Sequence, residues 1–473
     1  MATINSALQI MAGALNADQA ALNVTANNTA NASTPGYTRQ VAVFQANDPV
    51  TINGISYGQG VQMVAAQSQR NLILNANIDQ QQQQQQATQA QYTAMQQMQD
   101  IFNQVTTSTS GPSPGSLGDL TTNFFNAINQ LETSPTDTAL RQSVLSAANT
   151  LAGQFNSSAA QLTAQTNALN QQVIGTVNQI NPLLNSIAQL NQQISSASPT
   201  ADAGLLENQR QYDLQQLSQY IGINTIKTEN NGLTVTTTSG ALLVSEGKSF
   251  DLTTGNVRGN VHIFATASGS SGDITTAQAS GGGQLAGLLT TRDQSIPAVQ
   301  NSIDTMAYDL ATQVNTVQMA GVDQNGNPGL ALFNIPATVT GSAAGISVAI
   351  TNPAQIAAAA TGTGPGDNAN AVAMANLANQ SIIGGQTPTD FYASFISNLG
   401  SQVSGLNTLN TAQQASLTQL QNQQSALSSV SLNEEAANLQ TYEQAYQSAA
   451  QFYSVLQTVV ISALNLGMQT PVG

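Results

Sequence analysis

Apolar residues recur at intervals of three and four over most of the chain, which predicts helices. From Ile4 to about Ala32, Leu8, Leu15 and Leu22 stand seven apart, with Ile4 and Met11 on the neighbouring row. Seven is the coiled-coil period. The opposite end, Ser431 to Leu466, repeats it. Leu432, Leu439, Tyr446, Tyr453 and Val460 form one row, and Tyr442, Ala449, Leu456 and Ala463 the next. Ser431 and Glu434 have capping-box spacing, and Glu434 and Glu435 put negative charge where the helix dipole favours it. Two such stripes from opposite chain ends can pair, and copies can pack the pairs together.

Between the ends, helical periodicity predicts helices over about 68–105, 117–132, 136–197 and 203–220. In the third, Val173, Ile180, Ile187 and Ile194 lie at sevens, and Pro182 should interrupt and kink it. The run Gln80 to Gln86 reads as an exposed face of the first, since Gln is a good helix former. Ser108 to Gly118 reads as a loop. Long striped helices with short breaks indicate an antiparallel bundle. From Ile223 the period changes to alternation, in GLTVTTTSGALLV and KSFDLTTGNVRGNVHIFATAS, so a small antiparallel β domain is expected over about 223–280. A helix over 284–319 follows, then strand from Ile335 to Ile350. Short helices are expected at Pro353–Ala360 and Asn368–Gln380, and a Leu-striped helix from Ser394 to Val430. Short β pieces, VAVF, TINGISYG and VQMV, follow the first helix, with an Asn53-Gly54 hairpin turn.

The expected fold class is therefore mainly α with inserted β. Its terminal helices pair as a coiled coil around a central antiparallel helix bundle, into which a small antiparallel β domain is inserted. The expected divisions are an N-terminal helix and extended linker (1–65), the first part of the bundle (66–222) and the first part of the β domain (223–283). A bundle helix (284–320), a second β or irregular part (321–392), a bundle helix (393–430) and the C-terminal helix (431–473) complete the chain. An elbow separates the first helix from the body. Pro35 presets φ and Gly36 supplies the positive φ of a type II turn in Thr34-Pro35-Gly36-Tyr37. Asn27, Asn28 and Asn31 fall just before it, where amides bond freed backbone groups; they cap the helix end, fix the elbow's angle or contact neighbouring subunits.

Composition narrows function. Only 7% of the 473 residues are charged, so the surface is polar but nearly uncharged and packs on itself at little desolvation cost. The net charge is −15, and no Lys or Arg follows Arg292. That leaves no basic stripe for nucleic acid and disfavours an anionic membrane. No apolar run is long enough to span a bilayer, and the start has no cleavable signal pattern, so no membrane insertion and no cleaved signal peptide are expected. Without Cys there are no disulfides or thiolate metal sites. The single His262, in a strand pattern, reads as structural. Asp323-Gln-Asn-Gly-Asn327 begins like a calcium loop but continues with Pro328 and has Asn334 at the twelfth position, so it reads as a tight turn. Gly362 to Gly366 lacks the Lys-Ser/Thr of a phosphate loop. No catalytic residue, cofactor or metal is expected.

The stretch Ala26 to Gln40, ANNTANASTPGYTRQ, resembles the N-terminal signature of the axial proteins of the bacterial flagellum: the rod, hook and hook-associated families. Thr29 and Ser33 depart from the usual pattern. The Thr-Arg-Gln after Tyr37, GGQLAGLLTTRD and the following helix up to Phe333, and Gly366-Asp367-Asn368 resemble the hook-associated protein 1 subfamily. Leu432 to Leu466 resembles the same family's ending. The resemblance implies a non-enzymatic structural subunit at the junction of hook and filament, extracellular and exported uncleaved by the flagellar type III apparatus. It implies helical self-assembly of about one turn, contacts with the hook protein and the second junction protein, and an export chaperone on the C-terminal region. A hook or rod protein is the near alternative; a secreted enzyme or adhesin acting through its β domain is the distant one.

Overall fold

A computed structural model describes residues 2–52, 54–102, 115–198, 202–267 and 270–468. Most of the expected loop Ser108–Gly118 and the turn residue Asn53 lie outside these.

The chain opens with α1 (Ala2–Ala30), then β1 (Gln40–Ala46), β2 (Val50–Ile52), β3 (Ile55–Tyr57) and β4 (Val61–Ser68). Helices α2 (Leu72–Phe102), α3 (Leu117–Thr133), α4 (Thr138–Ala197) and α5 (Leu205–Tyr220) follow. Next come β5 (Ile223–Lys227), β6 (Leu233–Thr237), β7 (Leu242–Ser245), β8 (Lys248–Ser249), β9 (Leu252–Val257), β10 (Asn260–Ala267) and β11 (Ser270–Asp273). The single turn α6 (Thr275–Gln278) leads to α7 (Gly283–Thr290), a π turn (Thr291–Ser295) and α8 (Ile296–Ala320). Short pieces fill the next stretch: β12 (Gly321–Val322), β13 (Phe333–Asn334), α9 (Ser342–Gly345), β14 (Ser347–Val348), β15 (Ala359–Ala360) and α10 (Ala369–Asn376). Two long helices end it, α11 (Pro388–Ser428) and α12 (Leu432–Met468).

The body is organised around α4. Asp137 caps it by accepting from the amides of Ala139 and Leu140, and its 60 residues reach about 90 Å. Val144, Leu151, Phe155, Leu162, Leu169, Val173, Ile180, Leu184 and Ile187 form one buried stripe along it. The helix runs unbroken through Pro182, contrary to the expected interruption. α3 packs on it with Phe124, Ile128 and Leu131, and its start is fixed by a complete capping box between Ser116 and Asp119.

The inserted β segments form an antiparallel sheet β5-β6-β7-β8 and a second, β11-β10-β9. A row of α4 asparagines binds the insertions to the bundle. Asn181 grips both backbone groups of Leu252 at 2.9 Å. Asn191 donates to the carbonyls of Leu233 and Glu246, and Asn156 to those of Ala343 and Ile346. Asn170 accepts from Val261 N–H and from Arg292, whose guanidinium the π turn aims inward. Apart from the Arg292 bond, each of these answers a backbone group of the insertions.

Three expectations give way here. The Gln80–Gln86 run is not an exposed face: Gln82, Gln83 and Gln85 are buried. α2 is flanked by α11 and β5, and carboxamides satisfy both. Gln83 exchanges two hydrogen bonds with the backbone of Ile223, Gln85 donates to Asn410, and Gln424 on α11 donates to Asn75. Of the strand expected over Ile335–Ile350 only β14 forms, pairing with β13 just before that stretch, and α9 stands between them. Asp304 accepts from the amides of Gly341 and Ala343 and so holds a helical turn there. Over Pro353–Ala360 the expected helix shrinks to a 3₁₀ turn (Pro353–Gln355), because Ala359 and Ala360 pair with β12.

α1 and α12 leave this body as a paired arm. The end of α1 meets the start of α12, so the two run antiparallel. The β1–β4 ribbon, paired from Gln40↔Ser68 to Ala46↔Val61 with a register shift between Val43 and Phe44, lies along α1.

Candidate functional site: the junction of the two chain ends

The elbow turns as its residues dictate. Tyr37 N–H donates to the Thr34 carbonyl at 3.1 Å, and Gly36 has φ +76°. A Cβ on Gly36 would stand 3.0 Å from Cβ of Tyr212, so the turn also rests closely on α5. Asn31 donates to the carbonyl and side chain of Asn27 and accepts from Thr34, which closes the helix end locally.

Asn28 does something different. It is 1% exposed, and its amide uses its full hydrogen-bonding capacity. Its Oδ1 accepts from Tyr37 Oη at 2.8 Å and Gln40 N–H at 2.9 Å; its Nδ2 donates to the Gln40 carbonyl at 2.8 Å and to Glu435 Oε2 at 3.1 Å. Arg39 reaches the same place, with Nε on Glu435 Oε1 at 2.8 Å and Nη1 on Glu434 at 2.9 Å. Arg39 N–H also donates to the Ser428 carbonyl at the end of α11. One polar cluster, buried at Asn28, Gln40 and Glu435, thus joins the end of α1, the start of β1 and the start of α12. Burial pushes the Tyr37 hydroxyl up to about 12, with the Glu435 carboxylate adding to it, so the phenol remains a donor. The expected capping box at Ser431 is half made: Ser431 Oγ meets Glu434 N–H at 3.5 Å, while the Glu434 carboxylate turns to Arg39.

The apolar stripes divide. Ile4, Leu8, Met11, Leu15 and Leu22 are all half-buried on α1, and the buried positions are Ala17, Ala21, Val24, Thr25 and Asn28. On α12, Ala449 is buried and Tyr442, Tyr453, Leu456 and Val460 are half-buried. The Tyr442 ring lies 6.1 Å from that of Phe44 on β1. Leu432, Leu439 and Tyr446 face outward instead, Leu439 at 45% exposure. A straight helix drifts against a strict seven-residue repeat, so one row turns away from its partner. Sequence reasoning missed Arg39, Gln40 and Glu435 as members of the cluster. The signal available was a rare cation beside the turn and a doubled acid opening the last helix.

A cavity of about 450 Å³ lies at the root of the arm, lined among others by Arg70, Asp79, Asp202, Glu207, Arg210 and Lys227. Arg70 pairs with Glu207, and Asp202 accepts from Ser68 N–H. Burial pushes the Asp79 carboxyl up to about 7, opposed by a hydrogen bond from Gln211, and its Oδ1 has no partner. His262 pairs with Asp273 on the surface of the second sheet. Among the described residues no three His, Cys, Asp or Glu are grouped to hold a metal, and no helix is long and apolar enough to cross a membrane.

Comparison with known proteins places this architecture. The family model described as the flagellar hook-associated protein FlgK helical domain matches residues 95–333, half of the chain. The chain belongs to the FlgK family of flagellar hook-associated proteins. Membership makes it a structural subunit of the flagellar hook–filament junction. Residues 8–38, which contain the elbow motif, match the flagella basal body rod protein family. Flagellar hook-associated protein 1 of Escherichia coli K12 is 27% identical, over 96% of this chain and 98% of its own length. Its Bacillus subtilis 168 counterpart is 27% identical over 96% of each. The solved structure of the flagellar hook junction protein FlgK from Burkholderia pseudomallei shares the fold, with a TM-score of 0.66 at 20% identity over 75% of this chain and all of that one.

Proposed function

We propose that this subunit assembles helically with copies of itself through the arm, residues 1–65 and 431–473, using the α1 and α12 stripes. The outward residues Leu432, Leu439, Tyr446, Phe452 and Val455 carry the reading, because a single chain leaves them in water. Exposed apolar side chains strung along both flanks of the row that faces α1 mark an interaction surface. Interfaces that do not close on themselves give helical assemblies. The assembly meets the hook protein on one side and the second junction protein on the other. Its subunits travel uncleaved through the flagellar type III apparatus, with a chaperone on the C-terminal region, and act outside the cell without enzymatic activity.

Electron microscopy of a strain lacking the chain tests this directly: hooks without filaments are expected, and normal filaments would overturn it. Limited proteolysis gives a second measure. The arm should be cut in the monomer and protected in the assembly; equal protection in both states counts against burial across subunits.

A further inference from the structure

The β2–β3 hairpin pairs Val50↔Tyr57 and Ile52↔Ile55 and belongs to no larger sheet. Val50, Ile55 and Tyr57 are exposed. Isolated two-stranded hairpins are marginal in water, so an apolar hairpin of this size needs a surface to lie on. Among the described residues nothing covers Val50, Ile55 or Tyr57, and the hairpin is joined to the β1–β4 ribbon through the hydrogen bond from Asn47 N–H to the Gly60 carbonyl. A second uncovered strip runs along α12, where Phe452, Val455 and Val459 lie three and four residues apart, beside the row that meets α1.

Two observations match these strips to each other. Neither carries charge: no residue from Pro49 to Gln69 or from Gln444 to Met468 is ionisable as an acid or base, Tyr hydroxyls aside. A charged partner on either strip would be desolvated without compensation, whereas each strip covers the other without that cost. They also stand at one level along the arm. The hairpin's base lies beside the start of α1, where Gly60 approaches Ile10 and Gln59 donates to Ser6. Asn28 meets Glu435, and counting the same distance back along α1 and forward along α12 sets Ile10 level with Tyr453, amid the second strip.

We propose that the β2–β3 hairpin of one copy docks on the Phe452–Val455–Val459 strip of α12 in a laterally adjacent copy. This rests on the self-assembly reading and names the surfaces it uses. The contact is heterologous, one strip on a different strip, and so propagates around the assembly instead of closing a dimer.

The chain has no cysteine, so engineered thiols report cleanly. Cells are made to swim on a mixture of two full-length variants, Tyr57→Cys and Val459→Cys, and their flagella are oxidised. A disulfide dimer in the mixture, and in neither variant alone, is expected. Swimming cells with no mixed dimer, or with a Val459→Cys dimer alone, overturn the docking while leaving helical assembly standing. If either variant fails to assemble, Ile55→Cys with Val455→Cys repeats the measurement on the neighbouring positions. Filaments that persist without the chain overturn the assembly reading and this contact with it.

Discussion

The α4 helix of the body and the α12 helix of the arm both carry apolar residues at sevens, yet they end in opposite states. On α4, Phe155, Leu162, Val173, Ile180 and Ile187 are buried against α3, α5 and the inserted sheets. On α12, Leu432, Leu439, Phe452 and Val455 face water. α4 is enclosed on several sides, and its asparagines bind each insertion to it. Among the described residues α12 packs along α1 and is tied by a polar cluster at its root. The same sequence period therefore encodes a finished core in one place and an unfinished surface in the other. What separates them is the number of elements the chain itself supplies as cover.

This difference is sharpest where it is broken in the body. Phe155→Ala removes a ring that is 0% exposed, and the expected loss is about 3–5 kcal/mol of global stability. Thermal melting of the purified chain would read it. A loss under 1 kcal/mol would mean that the α4 stripe is not the centre of the fold.

The next effect belongs to the arm alone. Asn28→Asp removes both Nδ2 donors and sets a carboxylate where the amide stood 3.1 Å from Glu435. An unpaired buried charge of this kind costs about 3 kcal/mol. The loss should appear as faster amide exchange over residues 2–40 and 432–465, with the body's melting unchanged. A fall in the body's melting temperature would show that arm and body fold as one unit.

Periodicity made the helices legible from sequence, and loss of periodicity hid the rest. α3, α4 and α12 stand close to their expected bounds because each carries a long stripe and a Ser or Asp at its start. The stretch after α8 was misread because Asp304, far away in sequence, holds α9, and β12 claims Ala359 and Ala360. The buried glutamines were misread because polarity stood in for exposure, whereas Gln83 is placed by the backbone of Ile223. At the elbow, the turn itself was legible from Pro35 and Gly36. That Asn28, alone of the three asparagines, bridges both chain ends was not, since Glu435 is 407 residues away.

At the root of the arm the expected effect is smaller and depends on pH. Asp79 has its carboxyl raised to about 7, with Arg70, Asp202, Glu207, Arg210 and Lys227 around the same cavity. A raised carboxyl binds its proton more tightly in the folded state. Its contribution is therefore complete below the ordinary carboxylate range near pH 4 and is lost as pH rises through about 7. Asp79→Asn keeps an acceptor for Gln211 and never charges. The variant should match the parent at pH 4 and exceed it by about 2 kcal/mol at pH 8. Equal stability at both pH values would show that the carboxylate finds a partner on ionising.

The smallest effect on folding should have the largest consequence for the polymer. Leu439 is 45% exposed and touches no core, so Leu439→Asp should change the stability of the single chain by less than about 0.5 kcal/mol. Leu456 lies on the row turned toward α1, so Leu456→Asp should loosen the arm before any copy is met. Both variants should fail to support filaments, but only Leu456→Asp should raise amide exchange in the monomer. Fast exchange in both would mean that the outward row already serves the single chain. Filaments on Leu439→Asp would mean that this row is not the surface on which copies meet, and would leave the contrast between α4 and α12 without its functional reason.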